Sequence, residues 1–184
     1  QPENFIRADF LAFLARVGDK DAPVTEKVIC LSGALIERAD TTGYPELLDM
    51  SAAQLRRNLV VCACNIPEQV RLSGAHFSAV DFGGSKLGGL IADGLTAYNL
   101  VLDEGFEAAG PVTLDSATIG GSLRCTGGRF AGRPLALSCA SASIGGNVLI
   151  AAGFHAEGEV RIFRTNIGGE VNAAGAVIAH EDLG

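Results

Sequence analysis

The sequence predicts an all-β protein: a right-handed quadrilateral parallel β-helix of about seven coils, preceded by a capping helix. Two observations predict this fold. The tripeptide Ile-Gly-Gly recurs at 119–121, 144–146 and 167–169, at intervals of 25 and 23 residues. Around each recurrence, apolar and polar residues alternate over short segments, which is the period of a β-strand. Intervals of this length are too short for repeats built from two helices, which need more than about thirty residues.

An eight-residue phrase marks each predicted coil. In VTLDSATI, which begins at Val112, positions one, three, six and eight are apolar or small, and related phrases begin at residues 29, 48, 70, 90, 137 and 160. The period of two slips by one at position five, which indicates a corner between two strands. Such a corner favours small residues, either because a Cβ atom would crowd it or because it needs a positive φ. Position five holds, in order, Gly33, Ala52, Gly74, Gly94, Ser116, Ser141 and Arg164.

Stacked coils place equivalent residues in columns about 4.8 Å apart, so seven coils span roughly 30 Å. Five large apolar residues are predicted to point inward and form continuous columns: Phe77, Phe82, Ile119, Ile144 and Ile167. The glycine pairs 120–121, 145–146 and 168–169 are predicted to share one stacked corner. We expect at least one glycine of each pair to have a backbone conformation that alanine tolerates poorly.

The N-terminal segment has a different pattern, so we divide the chain into a cap and linker, 1–27, and a solenoid, 28–184. A bare first coil would expose unpaired strand edges and an apolar interior. A helix over 4–17 is therefore expected to cover it, with 18–27 as a linker after the helix stop at Gly18. Its apolar residues recur at helical spacing: Ile6, Phe10, Phe13, Leu14 and Val17.

A membrane-surface helix is the alternative for this segment, but Arg7 and Arg16 against Asp9 supply little basic charge for that role. The sequence has no apolar run near the 18 or so residues that a spanning helix needs. Between Glu37 and Glu46 the sequence Thr-Thr-Gly-Tyr-Pro interrupts the coils and is expected to form a protruding loop.

The phrases also carry a family resemblance. Apolar residues recur every five positions at Phe77, Phe82, Leu87, Ala92, Ala97 and Leu102, and two longer motifs read ATIGGSLRCTGGRF and GFHAEGEVRI. Residues 29–178, about 80% of the chain, resemble the pentapeptide-repeat class of right-handed quadrilateral β-helices. They resemble more closely a looser bacterial group with the phrase GA-x-IGG-x-L-x-C-x-GA-x-F. The resemblance implies the fold. Members of that group are sometimes labelled membrane-associated oxidoreductases, and regular pentapeptide proteins bind gyrase as DNA mimics.

Composition excludes several function classes. The formal charge of −7 and the pI near 4.9 argue against binding to DNA phosphates. The five cysteines are an odd number without CxxC spacing, so we expect small, reduced core residues and a cytoplasmic setting. No GxGxxG fingerprint or metal cluster accompanies the oxidoreductase label, and we expect no cofactor. The three histidines, His76, His155 and His180, lie on unrelated stretches, so no catalytic residues are predicted.

One charge feature points to an interaction surface. Between Lys86 and Arg124 there is no basic residue. Asp93 and Asp115 both occupy position four of consecutive phrases, so they should stack on one face and repel. A solvated acidic face is one interpretation, and a surface for a basic partner is the other. This acidic segment, which we take as the candidate interaction face, contains Asp93, Asp103, Glu104, Glu107 and Asp115.

The function expected from these observations is a non-enzymatic protein-interaction or scaffold module. A DNA mimic directed at gyrase is the first alternative. The second is an enzyme or a carbohydrate binder with a site on one face, for which the outward aromatics would be Tyr44, Tyr98 and Phe163. Val171, Ala173, Ala176 and Ile178 keep the inward pattern at the far end. We therefore expect either a longer natural chain or a homodimer that pairs through the C-terminal coil.

Overall fold

A computed structural model describes residues 4–15, 28–37, 48–55 and 57–179. They form a parallel β-solenoid of about six turns with one short helix near the N-terminus, so the predicted all-β solenoid is confirmed. Each turn runs along four sides in the same order, and every ladder between turns is parallel. We number the sides one to four in the order in which the chain follows them.

Side one is a seven-stranded ladder. Its strands are β2 (Val28–Ser32), β5 (Asn58–Cys62), β7 (Ala79–Asp81), β10 (Leu100–Val101), β14 (Leu123–Arg124), β18 (Val148–Leu149) and β22 (Val171–Asn172). Side two begins with the N-terminal strand. Its strands are β1 (Phe5–Arg7), β3 (Leu35–Glu37), the first part of β6 (Asn65–Arg71), the first part of β8 (Lys86–Ile91), β11 (Glu107–Ala108), β15 (Arg129–Phe130), β19 (His155–Ala156) and β23 (Val177–Ile178).

Side three shares β6 and β8 with side two, because these two strands continue across the corner. Its other strands are β4 (Leu48–Asp49), β12 (Val112–Thr113), β16 (Leu135–Ser138) and β20 (Glu159–Arg161). Side four extends to Gln54 through single bridges at His76. Its strands are β9 (Thr96–Ala97), β13 (Thr118–Ile119), β17 (Ser143–Ile144) and β21 (Asn166–Ile167).

The repeated phrase sets the register of six coils. The first residues of six phrases pair with one another along side three: Leu48, Val70, Leu90, Val112, Leu137 and Val160. The seventh phrase was assigned to the wrong side, because Ile29 pairs with Leu59 on side one. A strand, a corner and a second strand occur twice in each turn, so the same pattern arises at two different corners. Counting this phrase as a coil is why about seven coils were predicted instead of about six.

Position five of the phrase has a left-handed backbone in all seven cases. The φ values are 67° at Gly33, 55° at Ala52 and 59° at Ser116, and Arg164 still has a φ of 53°. Four of the seven residues therefore adopt, with a Cβ atom, a conformation that costs roughly 1–2 kcal/mol relative to the right-handed one. The corner geometry is common to every coil, and only some coils use glycine to relieve it.

The core is the continuous interior of the solenoid. Phe77, Phe82, Ile119 and Ile144 are at most 5% exposed, as predicted, and Ile167 is half-buried in the last described coil. Three phenylalanine rings also stack along the axis, with ring centres 5.4 Å apart for Phe106 and Phe130 and 5.0 Å apart for Phe130 and Phe154. Inward apolar side chains therefore fill the solenoid along its length.

The glycine pairs do share one corner, but the expected reason for glycine there was wrong. None of the six has a φ in the left-handed region. A Cβ on Gly145 would instead lie 2.3 Å from the carbonyl oxygen of Gly120 in the preceding coil. A Cβ on Gly146 would lie 2.6 Å from the Ser122 Oγ atom, which accepts a hydrogen bond from the Asn147 N–H. Close approach of successive coils, rather than backbone strain, requires glycine at this corner.

The N-terminal cap differs from the predicted helix over 4–17. Residues Phe5–Arg7 form β1, which pairs in parallel with β3 and extends side two. The helix α1 is shorter, Ala8–Ala15, and lies against β4. It buries Ala8, Leu11 and Ala12, whereas Phe10 and Phe13 are exposed, so its inward face is not the predicted one. The predicted linker 18–27 and the loop after Glu37 lie outside the described residues.

Candidate functional site

The five carboxylates of the acidic segment lie in three separate places. Asp93 and Asp115 occupy the corner between sides three and four, on adjacent coils as their phrase position predicted. The Asp115 N–H donates to Asp93 Oδ1 at 3.0 Å. Asp115 Oδ1 accepts hydrogen bonds from the Ala140 N–H, at 2.9 Å, and from the Ser138 hydroxyl. These two carboxylates therefore cap backbone of the solenoid instead of facing free into solvent.

Glu107 lies on side two, where its carboxylate pairs with the Lys86 ammonium at 3.0 Å. Lys86 and Glu107 are direct neighbours in the ladder of β8 and β11. Their side chains are about half exposed, and an exposed pair of this kind contributes only about 0–1 kcal/mol. Glu107 therefore lies on a side of the coil, past the corner that holds Asp103 and Glu104, and it already has a partner.

Asp103 and Glu104 lie at the corner between sides one and two. Asp103 is 2% exposed, and its Oδ2 atom accepts from Arg124 Nη2 at 2.7 Å. Arg124 belongs to the next coil, where it is half exposed. Glu104 follows with a φ of 54° and an exposed side chain. A buried carboxylate and an exposed one thus share this corner with one guanidinium group.

Gly83 explains how Asp103 is buried. Because Gly83 has no side chain, two carboxylates can approach its Cα atom. A Cβ at Gly83 would lie 3.1 Å from Asp81 Oδ1 and 3.5 Å from Asp103 Oδ1. Asp81 Oδ1 also accepts from the Gly83 N–H at 2.8 Å. In the register of these two coils Asp81 pairs with Val101, so Asp103 lies over Gly83, and the two carboxylates border the same space from adjacent coils.

The surroundings of Asp103 at this corner favour the protonated form of its carboxyl group. Burial raises the pKa of Asp103; Arg124 opposes the shift, while Glu104 and Asp81 add to it. Burial also raises the pKa of the Cys62 thiol to about 11, and the neighbouring Asp81 carboxylate adds to that shift. Burial, with a smaller contribution from the neighbouring carboxylates, therefore outweighs the effect of the guanidinium group on the pKa of Asp103.

A surface concavity of about 460 Å³ opens above this pair. Three successive coils contribute to its wall: Asp103, Glu104, Ser122, Arg124, Thr126 and Leu149. We call this site the corner concavity. It combines carboxylates, a guanidinium group, two hydroxyls and one apolar side chain, which is a composition suited to binding a polar group of a partner.

The remaining candidates do not converge on this site. His76 is exposed on side four, and His155 is half-buried on side two. His180 and Tyr44 lie outside the described residues. Within the described ranges, no three His, Cys, Asp or Glu side chains form a group that could hold a metal ion. No helix in that part of the chain is long and apolar enough to cross a membrane.

Cysteine burial follows the expectation for three of the five residues. Cys64, Cys125 and Cys139 are buried, Cys62 is half-buried and Cys30 is exposed, and all five are free thiols. Burial raises the pKa of Cys139 to about 12. The buried thiols are thus protonated core residues, whereas Cys30 departs from the predicted pattern.

Sequence reasoning missed Arg124 as a site residue. The signal was present, because Arg124 is the first basic residue after the acidic segment and follows Asp103 by about one coil. The pairing of Val101 with Arg124 between β10 and β14 is what brings the guanidinium group over the corner.

Comparisons with known proteins give no match to a family model, to a curated protein or to a solved structure.

Proposed function

We propose that the protein is a pentapeptide-repeat-like β-helix that acts as a non-enzymatic protein-interaction or scaffold module. The observation that carries this proposal is the corner concavity, in which a carboxylate that is 2% exposed stands beside an exposed guanidinium group on the outside of the solenoid. Charged groups placed on an outer surface in this way are suited to contact with another macromolecule.

Backbone hydrogen bonds join the three coils that form the wall of the concavity. The Leu102 N–H donates to the Arg124 carbonyl at 2.7 Å, and the Cys125 N–H donates to the Leu149 carbonyl at 2.7 Å. These bonds hold three successive coils in register. A preorganised surface loses little conformational entropy on binding, which supports a scaffold role.

The DNA-mimic alternative draws less support from the same geometry. A mimic of the DNA backbone needs a row of free carboxylates at the spacing of phosphates. Asp103 is paired with Arg124, Asp115 caps the next coil, and Glu107 is paired with Lys86. We therefore keep this alternative as an outcome of the test below.

Affinity capture from an extract of the native host tests the proposal. Wild-type protein and two charge-reversal variants serve as bait: Glu104→Arg in the concavity and Glu107→Arg on side two. We expect a specific protein to be retained by the wild type and by Glu107→Arg but lost with Glu104→Arg. Retention of no protein above an unrelated β-solenoid bait would contradict the proposal. Inhibition of purified gyrase by the wild type would favour the DNA mimic instead.

A further inference from the structure

Side four of the solenoid presents a column of uncharged side chains that can form hydrogen bonds. Strand pairing places one such residue from each of six successive coils directly above the previous one. All six residues are exposed or half-buried, so they lie on the outer face of this side. We call this surface the polar column, and its members are Gln54, His76, Thr96, Thr118, Ser143 and Asn166.

The hydroxyl groups of the polar column are available to a ligand. Within the described part of the chain, those of Thr96, Thr118 and Ser143 form no hydrogen bond with the protein. Each hydroxyl can donate one hydrogen bond and accept two. Successive coils stand about 4.8 Å apart, so the column offers donors and acceptors at regular intervals over about 24 Å.

The polar column carries no carboxylate, ammonium or guanidinium group, although the chain contains 14 basic and 21 acidic residues. Each of the other three sides presents charged outward residues, such as Asp81 on side one, Lys86 on side two and Arg161 on side three. A charged ligand would lose water at the polar column without meeting an opposite charge. This face therefore favours an uncharged ligand that is rich in hydroxyl groups.

Tyr98 supplies an aromatic surface beside the polar column. It follows β9 directly, and it is 66% exposed. Its ring lies against Gly120 of the next coil, where an added Cβ atom would be 3.3 Å from the ring atom Cδ2. Gly145 continues the same row one coil further on, with its backbone close to that of Gly120. The surface beyond the ring is therefore flat, because two successive coils have no side chain in this row.

A β-1,4-linked polysaccharide matches the charge, the spacing and the aromatic surface of side four. Its sugar rings have apolar C–H faces that stack on an aromatic ring, and its hydroxyl groups both donate and accept hydrogen bonds. Each sugar advances the extended chain by a distance close to the spacing between coils, so successive sugars meet successive coils. An extended peptide would find no free strand edge on this side, because the strands of side four already pair from coil to coil.

We propose that side four binds an uncharged β-1,4-linked polysaccharide, whose chain runs along the polar column parallel to the solenoid axis. One sugar ring stacks on Tyr98, and the neighbouring sugars exchange hydrogen bonds with the hydroxyls of Thr96, Thr118 and Ser143. The corner concavity lies between sides one and two, so the glycan site is separate from it. The protein can therefore hold a glycan and a protein partner at the same time.

Amide chemical shifts of the ¹⁵N-labelled full chain, titrated with cellohexaose, test this inference. Maltohexaose is the matched control, because it contains the same sugars in an α-1,4-linked chain that curves. We expect saturable shifts centred on the amides of Thr96, Tyr98, Thr118 and Ser143, caused by cellohexaose alone.

Variants of the exposed aromatic residues test the stacking contact. Tyr98→Ala should weaken cellohexaose binding about fivefold, whereas Tyr98→Phe keeps the ring and should weaken it less than about twofold. Phe163→Ala removes another exposed ring, 57% exposed, from outside the polar column and should also weaken binding less than about twofold. Thr118→Arg places a long charged side chain in the middle of the column and should abolish the shifts.

Four results would overturn the inference. They are the absence of saturable shifts at millimolar cellohexaose, equal shifts with maltohexaose, equal weakening by Tyr98→Ala and Phe163→Ala, and undiminished binding by Thr118→Arg. The variant Glu104→Arg, which is expected to lose the protein partner, should bind cellohexaose as the wild type does. Loss of cellohexaose binding by Glu104→Arg would place the glycan at the corner concavity and contradict a site on side four.

Discussion

Substituting Gly145 by alanine tests whether close approach between coils, and not backbone conformation, requires the glycine pairs. The new Cβ atom would lie 2.3 Å from the Gly120 carbonyl oxygen. An ordinary van der Waals contact between these atoms needs about 1 Å more. The neighbouring atom belongs to the backbone, so no side-chain rotation can relieve the overlap. The two coils must separate locally.

The cost follows from what holds the coils together at this point. The Gly145 N–H donates to the Ile119 carbonyl at 2.8 Å, and the Gly146 N–H donates to the Gly121 carbonyl at 2.7 Å. Weakening one or two such bonds costs about 1 kcal/mol each, and overpacking costs about 1–3 kcal/mol. The smaller entropy of the unfolded alanine chain offsets about 0.4–1 kcal/mol. We expect Gly145→Ala to lower the free energy of unfolding by about 3 kcal/mol.

Gly74→Ala is the matched control. Gly74 has a φ of 62°, and a Cβ atom added there would have no neighbouring atom within 4 Å, so alanine meets strain but no overlap. The expected loss is about 1 kcal/mol. Urea unfolding followed by circular dichroism measures both variants through the midpoint and the slope. A loss below about 0.5 kcal/mol for Gly145→Ala, or a loss no larger than that of Gly74→Ala, would refute the close-approach argument.

Four further measurements test other parts of the structure. Ile144→Ala, at 1% exposure, should cost about 2–5 kcal/mol, whereas Ser143→Ala at its exposed neighbour should change stability by less than about 0.5 kcal/mol. Ser116→Gly should stabilise the fold by about 0.5–1 kcal/mol, because relief of the strain at a φ of 59° exceeds the entropy that glycine adds to the unfolded chain; an unchanged or lower midpoint would contradict the strain argument. Iodoacetamide at pH 8 should modify Cys30 in the native protein but Cys139 only after unfolding. The reason is that a pKa of about 12 leaves the Cys139 thiol almost entirely protonated. The intact mass, followed over time, shows the order in which the two cysteines react. Light scattering tests the expected C-terminal dimer, which Ile178→Asp should disrupt; a wild-type monomer at micromolar concentration would exclude it.

The coil register was predictable because it depends on a local pattern that repeats. Val112, Leu114, Ala117 and Ile119 are buried as the phrase predicts, and position five is left-handed throughout. The pattern does not identify which of the two similar corners it marks, so the phrase at Ile29 was assigned to the wrong side. Pairing between strands resolves this ambiguity, and one coil alone does not contain that information.

The cap was harder to predict for a different reason. A helical period in Ile6, Phe10, Phe13 and Leu14 identified a helix, but it did not identify the face that the solenoid covers. The small residues Ala8 and Ala12, with Leu11, lie against the first coil, because close packing on a sheet end suits small side chains. The three residues before the helix pair with β3, and this edge pairing depends on a strand about thirty positions later.

The acidic segment shows how charges have to be interpreted in a solenoid. Along the chain, Asp103 and Glu107 are four residues apart and were assigned to one face. In the structure a corner separates them, and each pairs with a residue from an adjacent coil: Arg124 for Asp103 and Lys86 for Glu107. Because coils of 20 to 25 residues stack in register, the electrostatic neighbours of a residue lie about one coil away in the sequence. A stretch of sequence with acidic but no basic residues therefore does not define an acidic face, and an arginine one coil later contributes to the charge of the concavity.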